Sequence, residues 1–336
     1  MASQARDRVT ISQGDKILLM PVAIMAHNEE RSIKKAVNSA LSQEGPKGYF
    51  VKVVVVANGC TDKTEEIVRN LEMQHLEQVV LLSIKEKGKT KAINRAITYF
   101  NELSKGGCSI PCIIFLDADC EFIGNDALIN FMQWFEQKPE LCAIGADCLP
   151  DVFFDQRKDI VAEIYRAIYG LGRFVRINSI SGMCYGIRFD VLKKIEFPDF
   201  QFAEDMFVSA RLDGWFLKDR NIQIVFKTPS NFNREISRRT RQEISAQRYH
   251  EYYSSLRNKR GKVKLLEGSL GEDFRWWGGA SDDRILKRWL HLRGIKPKLL
   301  AGVYICVLLV ARIRARRALQ RLRKNSGMDY WKVTSR

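Results

Sequence analysis

No window of this sequence offers the roughly 20 consecutive apolar residues that a membrane-crossing helix needs. Residues 299–311 run for thirteen residues without a charge, which falls short. Residues 1–16 are polar and charged, with no apolar central stretch, so no secretory leader is expected there and this N-terminus reads as flexible. The eight cysteines form no Cys-x-x-Cys pair, and Cys108 and Cys112 lack a matching second pair or a His-x₃-His partner. Zinc sites of the usual spacing are thereby excluded. Several of these cysteines sit in apolar runs, where a free thiol behaves as a small hydrophobe. Reduced thiols and a cytoplasmic location are the expectation. There is no Gly-x-Gly-x-x-Gly after the first strand-like segment and no Gly-x₄-Gly-Lys-Ser/Thr. Neither the dinucleotide fingerprint nor a Walker phosphate loop is therefore present. No internal repeat or low-complexity segment stands out.

What is present is the composition of a folded chain. It has 336 residues, 46% hydrophobic and 28% charged, enough for one large domain with an appendage and a sizeable core. The net charge of +16 is unevenly placed: residues 234–336 hold 26 Lys and Arg against 9 Asp and Glu, and residues 1–233 hold 29 against 30. The basic character belongs to the C-terminal part alone. It points to a polyanionic surface partner there, membrane or nucleic acid.

Strand-like and helix-like segments alternate. Residues 16–26 read as a first strand, although Pro21 suggests that its regular part begins afterwards. His27-Asn28-Glu29-Glu30 leads into a helix to about residue 43, with Asn28 as its expected N-cap. Strands are predicted at 51–57, 79–84, 113–119, 141–147 and 222–226. Helices are predicted at about 64–73, 90–103, 125–137, 157–175 and 234–257, and Glu204-Asp205 opens another. This alternation predicts a doubly wound α/β domain with a mainly parallel sheet. The boundaries drawn are a flexible 1–16, a main domain 17–257 and a basic helical region 258–336.

The segment 113–119, Ile-Ile-Phe-Leu-Asp-Ala-Asp, puts Asp117 and Asp119 at the carboxyl end of a buried strand, where open α/β sheets place their ligands. Two carboxylates so close repel unless a cation or hydrogen bonds offset them. Mg²⁺ and similar hard ions suit one or two carboxylates together with phosphate oxygens, so a metal–diphosphate site is one reading. A strand end capped by an Asp-Ala-Asp turn is the other. Asp62 has a similar competitor, capping the helix that starts at Lys63. Lys89 either approaches phosphates or solvates a helix start, and His27 either lines a site or pairs with backbone. Glu204 and Asp205 stand at a helix N-terminus, which its dipole alone would favour. Arg234, Arg238, Arg241 and Arg248 share one helix face, suited to phosphate or simply solvated. Residues 299–311, followed by six arginines and one lysine over 312–324, read as an interfacial or re-entrant membrane anchor with a basic flank. The alternative is a helix packed on the main domain.

The order of these pieces resembles the family 2 glycosyltransferases with a GT-A fold, a Rossmann-like sheet, over residues 17–255. The matching pieces are Val22-Ala-Ile-Met-Ala-His27-Asn28-Glu29-Glu30, Asn58-Gly-Cys-Thr-Asp62-Lys-Thr64, Gly88-Lys89 with Asn94, Asp117-Ala118-Asp119, Ser181-Gly182 and Glu204-Asp205. The resemblance implies an inverting transfer from a nucleotide-sugar, with uridine as the first choice of base. It also implies Mn²⁺ or Mg²⁺ on Asp119 and Asp117, with Asp119 the more direct ligand. Ala26, His27, Asn28, Glu29, Asn58, Asp62, Lys89, Asp117, Ala118, Asp119, Arg241 and Arg248 are the implied donor-binding positions. Ser181 and Gly182 would face acceptor or sugar. Asp205 would be the general base, with Glu204 positioning it or the acceptor. The family's acidic contact to the base is replaced here by Ala57-Asn58, and an Asn can still hydrogen-bond a pyrimidine edge. The Gln/Arg-x-x-Arg-Trp helix found in many members is matched only in Arg248-Tyr249, which favours transfer of one sugar per acceptor over processive synthesis.

A glycan or lipid-linked acceptor at the cytosolic face of a membrane follows as the expectation, in cell-envelope polysaccharide or glycoconjugate synthesis, with peripheral membrane contact through residues 299–324. Three rivals stand beside it. One is a non-catalytic nucleotide-sugar or glycan-binding module of the same fold. A nucleotidyltransferase would need a glycine-rich loop bearing arginine and lysine near the N-terminus, which is absent. A nucleic-acid binder fits the basic tail with Trp276, Trp277 and Trp289, but no reading motif accompanies it.

Overall fold

The computed structural model describes residues 17–172, 180–198, 203–212, 216–259 and 294–324. Its parallel half is built from β1 (Leu18–Ala26), β2 (Tyr49–Asn58), β3 (Val79–Ile84) and β4 (Cys112–Asp117), in the order β3-β2-β1-β4. Helices α1 (Ile33–Leu41), α2 (Thr64–Gln74) and α3 (Lys89–Lys105) make the crossovers. The strand order reverses at β1, the switch point beyond which open α/β sheets bind ligands. Past β4 the sheet changes direction. β7 (Cys184–Arg188) runs antiparallel to β4 and to β6 (Ala143–Pro150), β8 (Phe216–Phe226) is parallel to β6, and β5 (Cys120–Phe122) is antiparallel to β8. The result is an eight-stranded mixed sheet. The remaining helices are α4 (Ala127–Gln137), α5 (Ile160–Gly172), the short α6 (Phe189–Leu192), α7 (Glu204–Arg211), α8 (Phe232–Lys259) and α9 (Ile295–Lys324).

Successive strand side chains point to opposite faces, and both faces are covered. Met20, Val22 and Ile24 of β1 join Ile114 and Leu116 of β4 in one core with α1, α2, α4 and α5. Leu19, Ala23 and Met25 join Ile113 and Phe115 in the other, with α3, α7 and α8. By the same alternation Asp117, two residues beyond Phe115, turns to the α3 side, where Lys89 begins that helix.

The structure corrects several sequence readings. β1 starts before Pro21, not after it. Leu19 donates its N–H to Ser109, so Pro21 faces the same side, just ahead of the regular β1–β4 ladder that opens at Val22, and no ladder bond to β2 is lost. Asn28 is not the cap of α1, which starts after Ser32; it is in the left-handed region at φ 57°, and its side chain accepts from the Thr61 N–H at 2.7 Å. Asp119 lies beyond β4 in the turn to β5. The flexible 1–16, and the segment 260–293 with its three tryptophans, lie outside the described residues.

Residues 299–311 form no re-entrant element. They belong to one continuous helix, α9, with Pro297 in its first turn, where a missing N–H is harmless. Leu300, Val307 and Leu319 are buried, each worth about 1.5–3 kcal/mol relative to exposure. With Ala301, Ala311, Ala315 and Ala318 they seat the helix on α8 and α5. Lys296 pairs with Glu163 of α5 at 3.0 Å. Leu299, Val303, Leu309, Val310 and Ile313 stay exposed on the other side. Among the described residues no helix is long and apolar enough to cross a membrane.

Candidate active site

The strand ends on one side of the sheet are tied together by Asn58. Its amide is buried; the nitrogen donates to Ala26 O at 2.8 Å and the oxygen accepts from Gly88 N–H at 3.1 Å. His27 Nδ1 lies 2.7 Å from the Asn58 carbonyl, so the backbone-pairing reading of His27 is the one seen. Gly88 has φ 143°, a conformation that L side chains rarely adopt, and it delivers Lys89 to the first position of α3. Asp62 accepts from the Thr64 hydroxyl and N–H at 2.6 and 3.0 Å and from the Glu30 N–H at 3.1 Å, which makes it a turn-former just ahead of α2. Glu29 accepts from Ser32 at 2.5 Å. Burial, then the charges of Asp119 and Asp62, push the Glu29 carboxyl up to about 7 against the pulls of Ser32 and Arg241.

Lys89 neither solvates a helix end nor stands alone. Its Nζ sits 2.6 Å from Asp117 and 2.5 Å from Glu204, and donates to the Gly182 carbonyl at 2.9 Å. Burial works to lower its pKa, yet the two carboxylates hold it well above its ordinary value. Burial pushes Asp117 up to about 7 despite Lys89. Ala118 is buried while Asp119 is exposed toward the cleft.

The Ser181-Gly182-Met183 turn is pinned beside β4, with the Met183 carbonyl accepting from Asp117 N–H at 2.8 Å. Gly182 donates its N–H to Asp205 at 3.2 Å. A Cβ at Gly182 would stand 2.9 Å from Glu204 Oε1 and 3.3 Å from the Asp205 carboxyl, so only glycine lets the two carboxylates approach this turn. Asp205 also accepts from Met206 N–H at 2.9 Å. Its pKa is raised to about 6 by burial first and the neighbouring Glu204 second, with Lys89 opposing.

These groups face a cleft of about 380 Å³ whose opposite wall is α8, through Arg238, Arg241, Gln242 and Ser245. Lys89, Asp117, Asp119, Ser181, Gly182, Glu204, Asp205 and Arg241 all line it. Arg248, two turns further along α8, does not. Ala26, His27, Asn28, Glu29, Asn58 and Asp62 form the neighbouring turns rather than the cleft lining. Gln242 and Lys227 line the cleft without having been singled out from sequence, and Arg238, named only for its helix face, lines it too. The spacing of Arg238 to Arg241 was the available signal.

Among the described residues no cluster of three or more His, Cys, Asp or Glu could hold a metal unaided. Asp117 is engaged by Lys89, which leaves Asp119 as the open carboxylate. One hard oxygen donor facing a cleft flanked by arginines fits a divalent ion completed by phosphate oxygens; it does not fit a protein-only cage.

Comparison with known proteins identifies the family and the fold. The family model described as Glycosyl transferase family 2 matches residues 22–196, more than half of the chain. The chain is 24% identical over 233 residues to the uncharacterized glycosyltransferase YaiP of Escherichia coli K12, covering 66% of this chain and 54% of that protein. It is 34% identical over 116 residues to the glycosyltransferase AglE of Haloferax volcanii, covering 34% of this chain and 33% of the relative. The chain thus spans about half the length of the first and a third of the second. The mannosyltransferase PcManGT of Pyrobaculum calidifontis, solved with GDP-Man and Mn²⁺, superposes with a TM-score of 0.56 at 18% identity, over 90% of this chain and 88% of that one. At that identity the likeness shows the shared GT-A fold.

Proposed function

From a chain that belongs to glycosyl transferase family 2, we propose an inverting transfer of one sugar from a nucleotide-sugar, a UDP-sugar in the first instance, to a hydroxyl of a glycan or lipid-linked acceptor. The observation that carries this reading is the convergence on one cleft of Asp119, the Glu204–Asp205 pair and the arginines of α8. The donor diphosphate lies toward Asp119, Arg238 and Arg241, where guanidinium groups suit phosphate oxygens. Asp119 would hold a divalent ion, Mn²⁺ or Mg²⁺, which would supply neutralisation of charge on the departing diphosphate. The nucleoside sits by the turns of residues 26–29 and 58–62, which Asn58 shapes by joining Ala26 to Gly88.

Asp205 is the general base. The acceptor oxygen attacks the anomeric carbon, its proton passes to the Asp205 carboxylate, and the bond from that carbon to the diphosphate oxygen breaks. A carboxylate raised to about 6 is mostly ionised near neutrality and a stronger base than an ordinary Asp. Glu204, held by Lys89, positions this base. Residues 17–257 form the catalytic unit and 258–336 a basic region docked on it through α9. Leu299, Val303, Val310 and Ile313 follow one another at helical spacing on the exposed side of α9, and the exposed Arg317 continues the stripe. An apolar stripe leading into arginines suits peripheral contact with an anionic bilayer at a cytosolic membrane face.

The decisive test is release of nucleoside diphosphate from a panel of UDP-, GDP- and dTDP-sugars with Mn²⁺ or Mg²⁺, with EDTA and Asp119→Ala as controls. Metal-dependent release from one donor, lost in Asp119→Ala, is expected. Metal-dependent binding with no turnover on any glycan or lipid-linked acceptor would favour the non-catalytic module. Flotation on vesicles containing phosphatidylglycerol, compared with neutral vesicles and with an Arg316→Glu/Arg317→Glu variant, tests the membrane contact; equal recovery in all three sinks it.

A further inference from the structure

The first turn of α8 contains Glu235, a carboxylate only 1% exposed. It serves two guanidinium groups: Arg238 Nε donates to it at 3.0 Å and Arg239 Nε at 2.8 Å. Two phenols complete its shell. Tyr165 of α5 donates to it at 2.8 Å, and Tyr304 of α9 lies at 3.5 Å. The same rings flank the arginines, Arg238 at 5.7 Å from the Tyr165 centroid and Arg239 at 5.4 Å from the Tyr304 centroid. Arg238 also donates to the Tyr165 hydroxyl.

The two arginines part company beyond Glu235. Arg239 turns to Tyr304 of α9 and also donates to Gln242, itself a cleft residue, at 3.0 Å. Arg238 lines the cleft, in company with Arg241 one turn later. Its Nε and one terminal nitrogen are used on Glu235 and Tyr165. A planar guanidinium fixed along one edge presents its other edge in a set direction. Buried ion pairs add little net stability over apolar packing of the same volume, so a hub of this kind is better explained by what it orients.

We propose that Glu235 is a positioning residue that fixes Arg238 at the diphosphate end of the cleft, with Tyr165 and Tyr304 as its supports. This rests on the donor-site reading above and adds to it a chain of contacts from α9 to the cleft. α9 is then a working part of the donor site, beyond any contact of its outer face.

The test is a double-mutant cycle on the full chain, read as the Mn²⁺-dependent affinity for UDP and for GDP by calorimetry, with near-UV circular dichroism to confirm folding. Arg238→Gln should weaken the better-bound nucleotide about tenfold, the loss expected of a hydrogen bond to a charged group. Glu235→Gln should weaken it several-fold. The double variant should be no weaker than Arg238→Gln alone, because residues acting through one another are non-additive. Should Glu235→Gln fail to fold, Tyr165→Phe takes its place in the same cycle, with a smaller loss that vanishes in the Arg238→Gln background. Unchanged nucleotide affinity in a folded Glu235→Gln or Tyr165→Phe protein, or additive losses, overturns the positioning role alone. No binding of either nucleotide by the wild type, matching Asp119→Ala, overturns the donor reading and the positioning role with it.

Discussion

The two walls of the cleft are held in place by different physics. The strand-end wall is backbone-defined. Asn58 joins Ala26 to Gly88, the Gly182 N–H meets Asp205, and the Met183 carbonyl meets Asp117. Its geometry comes from turns at the ends of β1, β2 and β4, the turn before β7, and the first turn of α7. The α8 wall is built from long side chains round one buried carboxylate, Glu235, with supports from α5 and α9. Chemistry that needs fixed distances sits on the first wall, at Glu204 and Asp205. Recognition of a mobile, charged diphosphate falls to the second. The catalytic carboxylates of the rigid wall should therefore fail by losing rate, and the charged wall by losing affinity or its fold.

The largest effect belongs to the first wall. Asp205→Asn keeps the volume and removes the base, so turnover should fall about 10²–10⁴-fold with donor affinity little changed and the chain still folded, although the amide can satisfy only one of the two N–H donors that Asp205 meets. Steady-state kinetics beside a thermal melt checks this, and a parallel loss of affinity would blur the division between the walls. On the second wall, Glu235→Ala leaves Arg238 and Arg239 without their counter-charge. Breaking one partner of a buried ion network costs about 3–5 kcal/mol, which chemical denaturation would show. A loss under 1 kcal/mol would mean that the hub is well solvated and the contrast false.

The first wall was largely legible in the sequence, and the second was not. The apolar run ending in Asp117-Ala-Asp119, then Ser181-Gly182 and Glu204-Asp205, fall in order, and each is a local signal. The partners of Lys89 were not legible, because Gly182 is 93 residues away and nothing local joins them. Asn58 looked like a base contact; both ends of its amide are in fact used on Ala26 and Gly88. Asn28 carried the residue type of a helix cap but takes the left-handed turn that lets it meet Thr61. In the second wall, Glu235 lies 70 residues from Tyr165 and 69 from Tyr304, so only the fold reveals the hub. The arginine spacing on α8 gave the right helix face near the cleft at Arg238 and Arg241 and overreached at Arg248, outside the lining.

A milder cut into the first wall is Asn58→Ala. It strands the Gly88 N–H in a buried place, at about 1–3 kcal/mol for a buried group left unpaired, and leaves the Ala26 carbonyl with the weak Cys60 thiol donor at 3.6 Å. Because Gly88 leads into Lys89, nucleotide affinity should fall along with stability, measured as midpoint and dissociation constant on the same samples. Lost stability with intact affinity would detach the Asn58 clamp from the site.

The mildest perturbation, acid alone with no substitution, separates the walls as well. Asp205 and Glu235 are both enclosed carboxylates, yet their pKa values move in opposite directions. Burial and Glu204 raise Asp205 to about 6. Glu235 is held down at about 2 because Arg239 and Arg238 outweigh the effect of burial. A base must be ionised to accept a proton, so activity should fall as pH drops through about 6, by roughly tenfold at a pH one unit lower. Protonating Asp205 there relieves a buried charge and does not loosen the fold. Glu235 has the reverse sign. Its folded pKa lies below its ordinary 4.5, so its stabilisation is complete above that value and is lost as pH falls from about 4.5 to 2, on the order of 3 kcal/mol in all. Between about pH 6 and pH 4.5 the chain should therefore stay folded while its activity falls away, and return to neutral pH should restore turnover at once. An activity profile set beside circular dichroism over pH 3–8 reads both limbs. If the two limbs coincide, Asp205 and Glu235 share one fate, and the walls are not independently held.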